Sequence, residues 1–310
     1  MYCAPNFLTF VGLAAVRAAF SAATPLATNV IAVRRLDAIT VLGFFARKSL
    51  LANISKILAP AMGAALASRA GEGSALLLAA LMEAFAIPIF SYLAFRYESV
   101  GSNRHSSEST DGPTPRYRAL CWMVGIYFAF VFMTNNQLPL LLSAEGFEPS
   151  FFGVLVSCSG LGNVLVGVWM SAHSKTRGAG SLMTLCLASV IQAVGLVVIA
   201  FVFSSADGTR YVLVSFAFVV AGMASAYFAI CTAVIISEHH RDAVGRVSAE
   251  VQRWQHTMMI VAPLVGAYVF DVTSAGMLLL VAGAFGLIAT SLFAGVYVLG
   301  RRGNALRIAP

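Results

Sequence analysis

Charged residues are scarce in this chain: they account for only 11% of its 310 residues, whereas soluble domains carry about 25%. Hydrophobic residues make up 59%, and they stand in long runs separated by short charged segments. The shortage of charge argues against a soluble enzyme. The arrangement of the apolar runs is typical of a multi-pass membrane protein.

Cysteine is also scarce, and the five cysteines stand in or beside apolar runs without CxxC spacing. They are predicted to be small buried hydrophobes, not disulfides or metal ligands. No positive residue precedes the first apolar run, so a secretory signal peptide is not expected. The net charge of +7 is dispersed over short connections, which argues against nucleic acid binding. Without a metal-ligand cluster, a phosphate loop or a nucleophile–base pair, we expect no cofactor, no metal and no enzymatic activity.

Nine apolar stretches are long enough to cross a bilayer, whose core of about 30 Å needs about 20 helical residues. Backbone amides in lipid must find their partners within the segment, so these stretches are predicted to be helices. The predicted fold class is therefore all-α, a multi-pass transmembrane bundle of about nine helices. The spans cover residues 7–32, 44–68, 75–95, 119–142, 149–172, 180–203, 211–237, 249–270 and 276–299.

Basic residues alternate between the two ends of these helices. One set of connections carries nearly all of them, whereas the opposite set carries only Arg69 and Arg210. By the positive-inside rule the basic set is cytoplasmic, which predicts a bacterial inner-membrane protein with a cytoplasmic C-terminus. The basic set comprises Arg34, Arg35, Arg47, Lys48, Arg96, Arg104, Arg116, Arg118, Lys175, Arg177, Arg241, Arg246, Arg301, Arg302 and Arg307.

A short repeat connects two distant parts of the chain: residues 57–66 read ILAPAMGAAL and residues 260–269 read IVAPLVGAYV. The first copy lies in the second predicted span and the other copy in the eighth, so the repeat unit is six helices in parallel orientation. A long polar stretch follows the third span, where a junction between six-helix halves is expected. The predicted domains are a partial bundle of three helices (1–95), a cytoplasmic linker (96–118) and a complete six-helix bundle (119–310).

This organisation resembles the major facilitator superfamily, whose two six-helix halves are joined by a cytoplasmic loop. Residues 13–17 resemble the superfamily motif with a mid-helix arginine, and residues 167–177 resemble its basic loop. Residues 59–63 and 243–247 are similar to the enterobactin-exporter-like branch. The resemblance implies that the chain corresponds to family helices four to twelve and lacks the first three.

Three charged residues lie well inside predicted spans: Arg17, Lys56 and Glu83. A charge at the bilayer centre costs about 2.5–3.5 kcal/mol and usually faces a partner or a cavity. Glu83 is expected within about one helical turn of the depth of Lys56. We predict that Glu83 pairs with Lys56 or Arg17, as a structural ion pair or as a proton-coupling site. Arg253, near the cytoplasmic end of its span, is expected to snorkel.

Asn135, Asn136 and Gln137 form a polar run in the fourth span. Pro139 follows and is predicted to break the helix near the outer leaflet. In the superfamily the corresponding helix lines the central cavity, so the resemblance implies contact with substrate. Hydrogen bonding between helices is the alternative role.

Glycines cluster in the fifth span, at Gly160, Gly162 and Gly167. They predict a surface where another helix approaches closely. A dinucleotide-binding loop would need a preceding strand, and none is predicted. Gln192 and His256 are weaker site candidates, since single polar residues in apolar helices usually have a structural role.

The resemblance implies a secondary active transporter that exports a small amphipathic molecule by alternating access. Proton coupling is the candidate energy source, because no ATP site is visible. The expected partners are the lipid bilayer and a small-molecule substrate, but no nucleic acid; the oligomeric state is left open. The alternative is a truncated transporter remnant, or a membrane-embedded interaction protein, without a transport cycle.

Overall fold

The computed structural model describes residues 43–55, 57–58, 115–173, 181–203, 208–240 and 243–306, together with positions 28, 31–32, 40, 77, 80–81, 84 and 88. All secondary structure over these residues is helical, which confirms the all-α class. The chain forms two compact units, Met1–Thr28 with Leu58–Thr110, and Asn29–Ile57 with Asp111–Pro310. The described positions of the first unit are helical. The elements below belong to the second unit.

Eight helices make up the described part of the second unit. The first, α1, covers residues 43–55. The others are α2 (Pro115–Asn135), α3 (Leu138–Ala144), α4 (Pro149–Ala172), α5 (Leu182–Phe203), α6 (Thr209–His239), α7 (Val244–Val272) and α8 (Ala275–Leu306).

Five helical segments are long and apolar enough to cross a membrane. They are Tyr117–Asn135, Phe151–Ala172, Leu182–Phe203, Thr209–His239 and Ala275–Leu299. Each coincides with a span expected from the sequence. Length and apolar composition therefore agree with a helical membrane bundle.

Helix α7 is not among these five segments. It begins at Val244, before position 249 where the apolar run begins in the sequence. Its first turns are amphipathic, because Val247 and Val251 are buried whereas Arg246 and Arg253 are exposed. Packing of this valine stripe extends the helix beyond its apolar part.

The bundle packs around an aromatic centre. Helix α4 packs mainly on α6, α5 on α6 and α8, and α2 on α7 and α8. Tyr127 and Phe128 of α2 meet Phe228 of α6, and the rings of Tyr127 and Phe228 stack with centroids 3.8 Å apart. Three free cysteines are buried as the sequence predicts: Cys121, Cys186 and Cys231.

The glycine-rich stretch of α4 approaches α6 at backbone contact distance. A Cβ atom on Gly162 would lie 2.0 Å from the carbonyl oxygen of Val219. A Cβ atom on Gly222 would lie 2.1 Å from the carbonyl oxygen of Ser159. Only glycine fits at both positions, and the predicted close contact is confirmed.

The other two glycines of this stretch face the helical segment that includes α1. A Cβ atom on Gly160 would lie 2.6 Å from the side chain of Ile57, and one on Gly167 would lie 3.4 Å from the carbonyl oxygen of Ala46. Ala46 and Ile57 are eleven residues apart, about three turns of one helix face. Helix α4 therefore presents small residues to two neighbours.

The connection between α3 and α4 is held by a glycine and an arginine. Gly146 has a φ of 72°, a left-handed conformation that glycine adopts without steric cost. The Arg210 guanidinium donates a hydrogen bond of 3.2 Å to the carbonyl oxygen of Glu145 and lies 4.5 Å from the centroid of the Phe147 ring. This end of the bundle is thereby closed by contacts from the start of α6.

Candidate functional site

A helix interruption at Asn136 and Gln137 lies between α2 and α3. Pro139 has no N–H to donate to the carbonyl of Asn135, and it disfavours helical continuation before it. The helix therefore ends at Asn135, and the Gln137 amide closes a turn by donating to the Thr134 carbonyl at 3.1 Å. The predicted break is confirmed, two residues ahead of the proline.

The three polar residues of this interruption have different surroundings. Asn135 and Asn136 are exposed, whereas Gln137 is half-buried. The side-chain amide of Gln137 donates a hydrogen bond of 3.1 Å to the carbonyl oxygen of Pro263 in α7. Gln137 thus has the interhelical hydrogen bond that was one of the two roles considered for this run.

The second copy of the sequence repeat provides the α7 side of this contact. Pro263 lacks an N–H, so the helix receives one hydrogen bond fewer at this turn. A Cβ atom on Gly266 would lie 2.0 Å from the carbonyl oxygen of Met133 in α2. The repeated proline and glycine therefore let α7 approach α2 beside the interruption. The first copy, at Pro60 and Gly63, lies outside the described residues.

A small cavity of about 40 Å³ lies beneath the interruption, between α2, α3, α5, α6 and α8. Thr134, Asn135 and Gln192 contribute its polar lining. Gln192 is only 9% exposed, and its Oε1 atom has no hydrogen-bond donor among the described residues. A cavity of this size can hold a water molecule, but it is well below the 300–1,000 Å³ of drug-sized ligand sites.

Neither a protein-family model nor a curated protein matches this chain. The resemblance to the major facilitator superfamily therefore rests on the repeat, the local motifs and the helix pattern.

The remaining sequence candidates are not brought into this site. Arg17, Lys56 and Glu83 lie outside the described residues, so their ion pair stays a prediction. His256 is exposed on α7. Arg253 is exposed and pairs with the carboxylate of Glu250, a partner that the sequence analysis did not identify.

Sequence reasoning undervalued Gln192 and missed Thr134. Both side chains line the cavity, although Thr134 also donates a hydrogen bond of 3.2 Å to the carbonyl of Val131. The sequence marks Gln192 only as a single amide side chain in a largely apolar helix. Thr134 directly precedes the polar run and extends it by one residue.

Replacing Gln192 with leucine is expected to raise the free energy of unfolding by about 1 kcal/mol or more. An unsatisfied buried polar group costs about 1–3 kcal/mol, and the leucine removes it at similar volume. Thermal unfolding of the purified protein in detergent measures the change. Gln137→Leu is the matched control and is expected to lower stability, because that amide has a partner. A less stable Gln192→Leu protein would contradict the prediction and indicate a bound water or ligand at Oε1.

Proposed function

We propose that this chain is a secondary active transporter of the major facilitator type, with about nine membrane spans and a cytoplasmic C-terminus in a bacterial inner membrane. In this proposal it exports a small amphipathic molecule by alternating access. The observation that carries it is the interrupted helix α2–α3, where the Gln137 side chain bonds to a proline-containing turn of α7. Interrupted helices with free polar groups form the substrate sites of many secondary transporters.

Two features of the site support the proposed cycle. Asn135 is exposed and also lines the small cavity that Gln192 lines. It therefore lies between the accessible surface and Gln192. The bond from Gln137 to Pro263 couples α2 to α7 where α7 is short of one backbone hydrogen bond. Bending of α7 at this proline would change access to Asn135 while the rest of the bundle stays packed.

Close packing through small residues supports movement of helices as rigid bodies. Gly160 and Gly167 of α4 face Ile57 and Ala46, which the sequence assigns to the first bundle. Small residues at such contacts let helices approach closely. This contact lies within one compact unit, so in the proposed cycle α4 and the segment that includes α1 move together.

A proton gradient is the proposed energy source. Glu83 is the only acidic residue well inside a sequence-predicted span, and an ionisable group there marks a proton or ion pathway by default. Its proposed partners are Lys56 and Arg17. Protonation of Glu83 would release the cation and so change the charge inside the bundle during each cycle.

Flux in liposomes tests the proposal. The purified full chain is reconstituted, and release of fluorescent amphipathic cations and neutral dyes is followed with and without a pH gradient. We expect gradient-dependent flux of at least one probe. Asn135→Leu is expected to reduce that flux about fivefold or more, since one lost polar contact to substrate costs about 1–3 kcal/mol.

Ser143→Leu is the matched control, because Ser143 is exposed on α3 and does not line the cavity. It is expected to transport like the unmodified chain. Folded protein without flux of any probe would contradict the proposal. That outcome would favour the transporter remnant or interaction protein instead.

A further inference from the structure

A second concave site lies at the opposite end of α2, where α2 and α7 begin. This groove has a volume of about 310 Å³, in the lower range of ligand sites. It is separate from the helix interruption, which lies at the other end of the Tyr117–Asn135 segment. Its lining consists of Tyr117, Arg118, Cys121, Trp122, Arg246, Glu250 and Trp254.

The groove has an excess of positive charge. Its one carboxylate, Glu250, is paired with the guanidinium of Arg253. Arg118 and Arg246 are exposed, and no carboxylate pairs with either of them in the part of the chain that the structure describes. Both arginines are therefore available to an anion.

Aromatic rings also line the groove. The rings of Trp122 and Trp254 lie with centroids 5.3 Å apart, and Trp122 is 57% exposed. The Trp254 indole packs against Gly125, where a Cβ atom would lie only 3.1 Å from the ring. A groove lined by two tryptophans and two arginines is complementary to a molecule that has an apolar part and an anionic head.

The position of the groove favours a lipid among the molecules that have an apolar part and an anionic head. It opens where the apolar segment of α2 begins, at Tyr117, and tryptophan and tyrosine are enriched at this membrane–water level. Arginine binds phosphate through two parallel hydrogen bonds. Basic clefts between helices on the cytoplasmic side bind the head groups of anionic lipids.

We propose that this groove binds the phosphate head group of an anionic phospholipid, with Arg118 and Arg246 as its cationic ligands and Trp122 and Trp254 against the glycerol and upper acyl region. The proposal does not depend on transport. It assigns the start of α2 and α7 as a lipid site that would hold the two helices together at the cytoplasmic surface.

Quenching of tryptophan fluorescence by brominated lipids tests the site. The chain contains three tryptophans, so in a Trp169→Phe background only Trp122 and Trp254 report. The full chain is reconstituted in phosphatidylcholine vesicles that contain increasing fractions of brominated phosphatidylglycerol or brominated phosphatidylcholine. We expect half-maximal quenching at a several-fold lower mole fraction of the anionic lipid.

Arg118→Gln and Arg246→Gln are each expected to raise that mole fraction about fivefold, which corresponds to the loss of one arginine near an anionic lipid. Arg47→Gln is the matched control, because Arg47 is exposed on α1 and outside the groove. It removes the same charge and is expected to change nothing. The two groove variants are independent, so either one suffices if the other fails to fold.

Three outcomes would overturn the lipid assignment. Equal quenching by the two brominated lipids, or equal effects of Arg118→Gln and Arg47→Gln, would show that the groove has no preference for anionic lipid. Loss of the preference on addition of millimolar inorganic phosphate would show a site for a soluble phosphate compound. Persistence of the preference under that addition supports the lipid.

Discussion

Replacing Gly162 with alanine is expected to lower the free energy of unfolding by about 1–2 kcal/mol, the cost of overpacking less the gain in helix propensity. The new methyl group would lie 2.0 Å from the Val219 carbonyl oxygen and 2.8 Å from the Met223 amide nitrogen. Both atoms are backbone, so α4 and α6 must separate. Overpacking costs about 1–3 kcal/mol, whereas the gain in helix propensity is only about 1 kcal/mol. Thermal unfolding in a fixed detergent measures the difference.

A control substitution on the same helix is expected to raise the free energy of unfolding instead of lowering it. A Cβ atom on Gly153 of α4 would meet no neighbour within 4 Å, so Gly153→Ala keeps only the propensity gain and is expected to stabilise. Gly222→Ala repeats the clash from the α6 side, against Ser159. Either substitution alone already separates the two helices, so adding the other costs less. The double variant is therefore expected to lose less unfolding free energy than the sum of the losses of the two single variants. Equal stability of Gly162→Ala and Gly153→Ala would contradict the close packing of α4 on α6.

Replacing Gly266 with alanine is expected to destabilise the protein by a similar amount and to disturb the candidate site as well. The methyl group would lie 2.0 Å from the Met133 carbonyl oxygen, so α7 must withdraw from α2. Withdrawal lengthens the bond from Gln137 to the Pro263 carbonyl, which adds about 0.5–1.5 kcal/mol to the loss. Unfolding in detergent gives the total loss.

Comparison with Gln137→Leu separates the cost of the clash at Gly266 from the cost of losing the bond between Gln137 and Pro263. If the clash at Gly266 already breaks the Gln137 bond, combining both changes is expected to cost no more than Gly266→Ala alone. Gly295→Ala is the control for the substitution itself, since a Cβ atom there meets nothing within 4 Å. Full additivity of the two changes would show that the glycine contact and the Gln137 bond are independent.

Most helix positions in the second half of the chain were predictable to within a few residues, although α2 ends seven residues before, and α8 seven residues after, the end of its expected span. The span expected at 149–172 is the helix Pro149–Ala172, and the one expected at 180–203 is Leu182–Phe203. The reason is local: each apolar run ends in polar residues, proline or glycine, and the backbone inside it can satisfy its hydrogen bonds only as a helix. The limits of α7 were less predictable, because its first turns are amphipathic and belong to no apolar run.

The candidate site was predictable in part. The polar run at Asn135, Asn136 and Gln137 and the break near Pro139 follow from residue types next to each other in sequence. The partner of Gln137 does not, because Pro263 is 126 residues away. Nothing in the pattern around Gln192 indicates that its Oε1 atom faces a cavity shared with Thr134, since that depends on how α2 and α5 are rotated against each other.

The sequence by itself determined that the described part of the chain forms apolar helices, where most of them lie, and which residues recur between 57–66 and 260–269. Those properties depend on composition and on hydrogen bonding within one segment. Only the tertiary structure decided which glycines meet a backbone, which amide of the polar run bonds to α7, and that Trp122 and Trp254 lie beside two arginines. These depend on the rotation and separation of helices that are distant in the chain, and packing of many small contacts sets both.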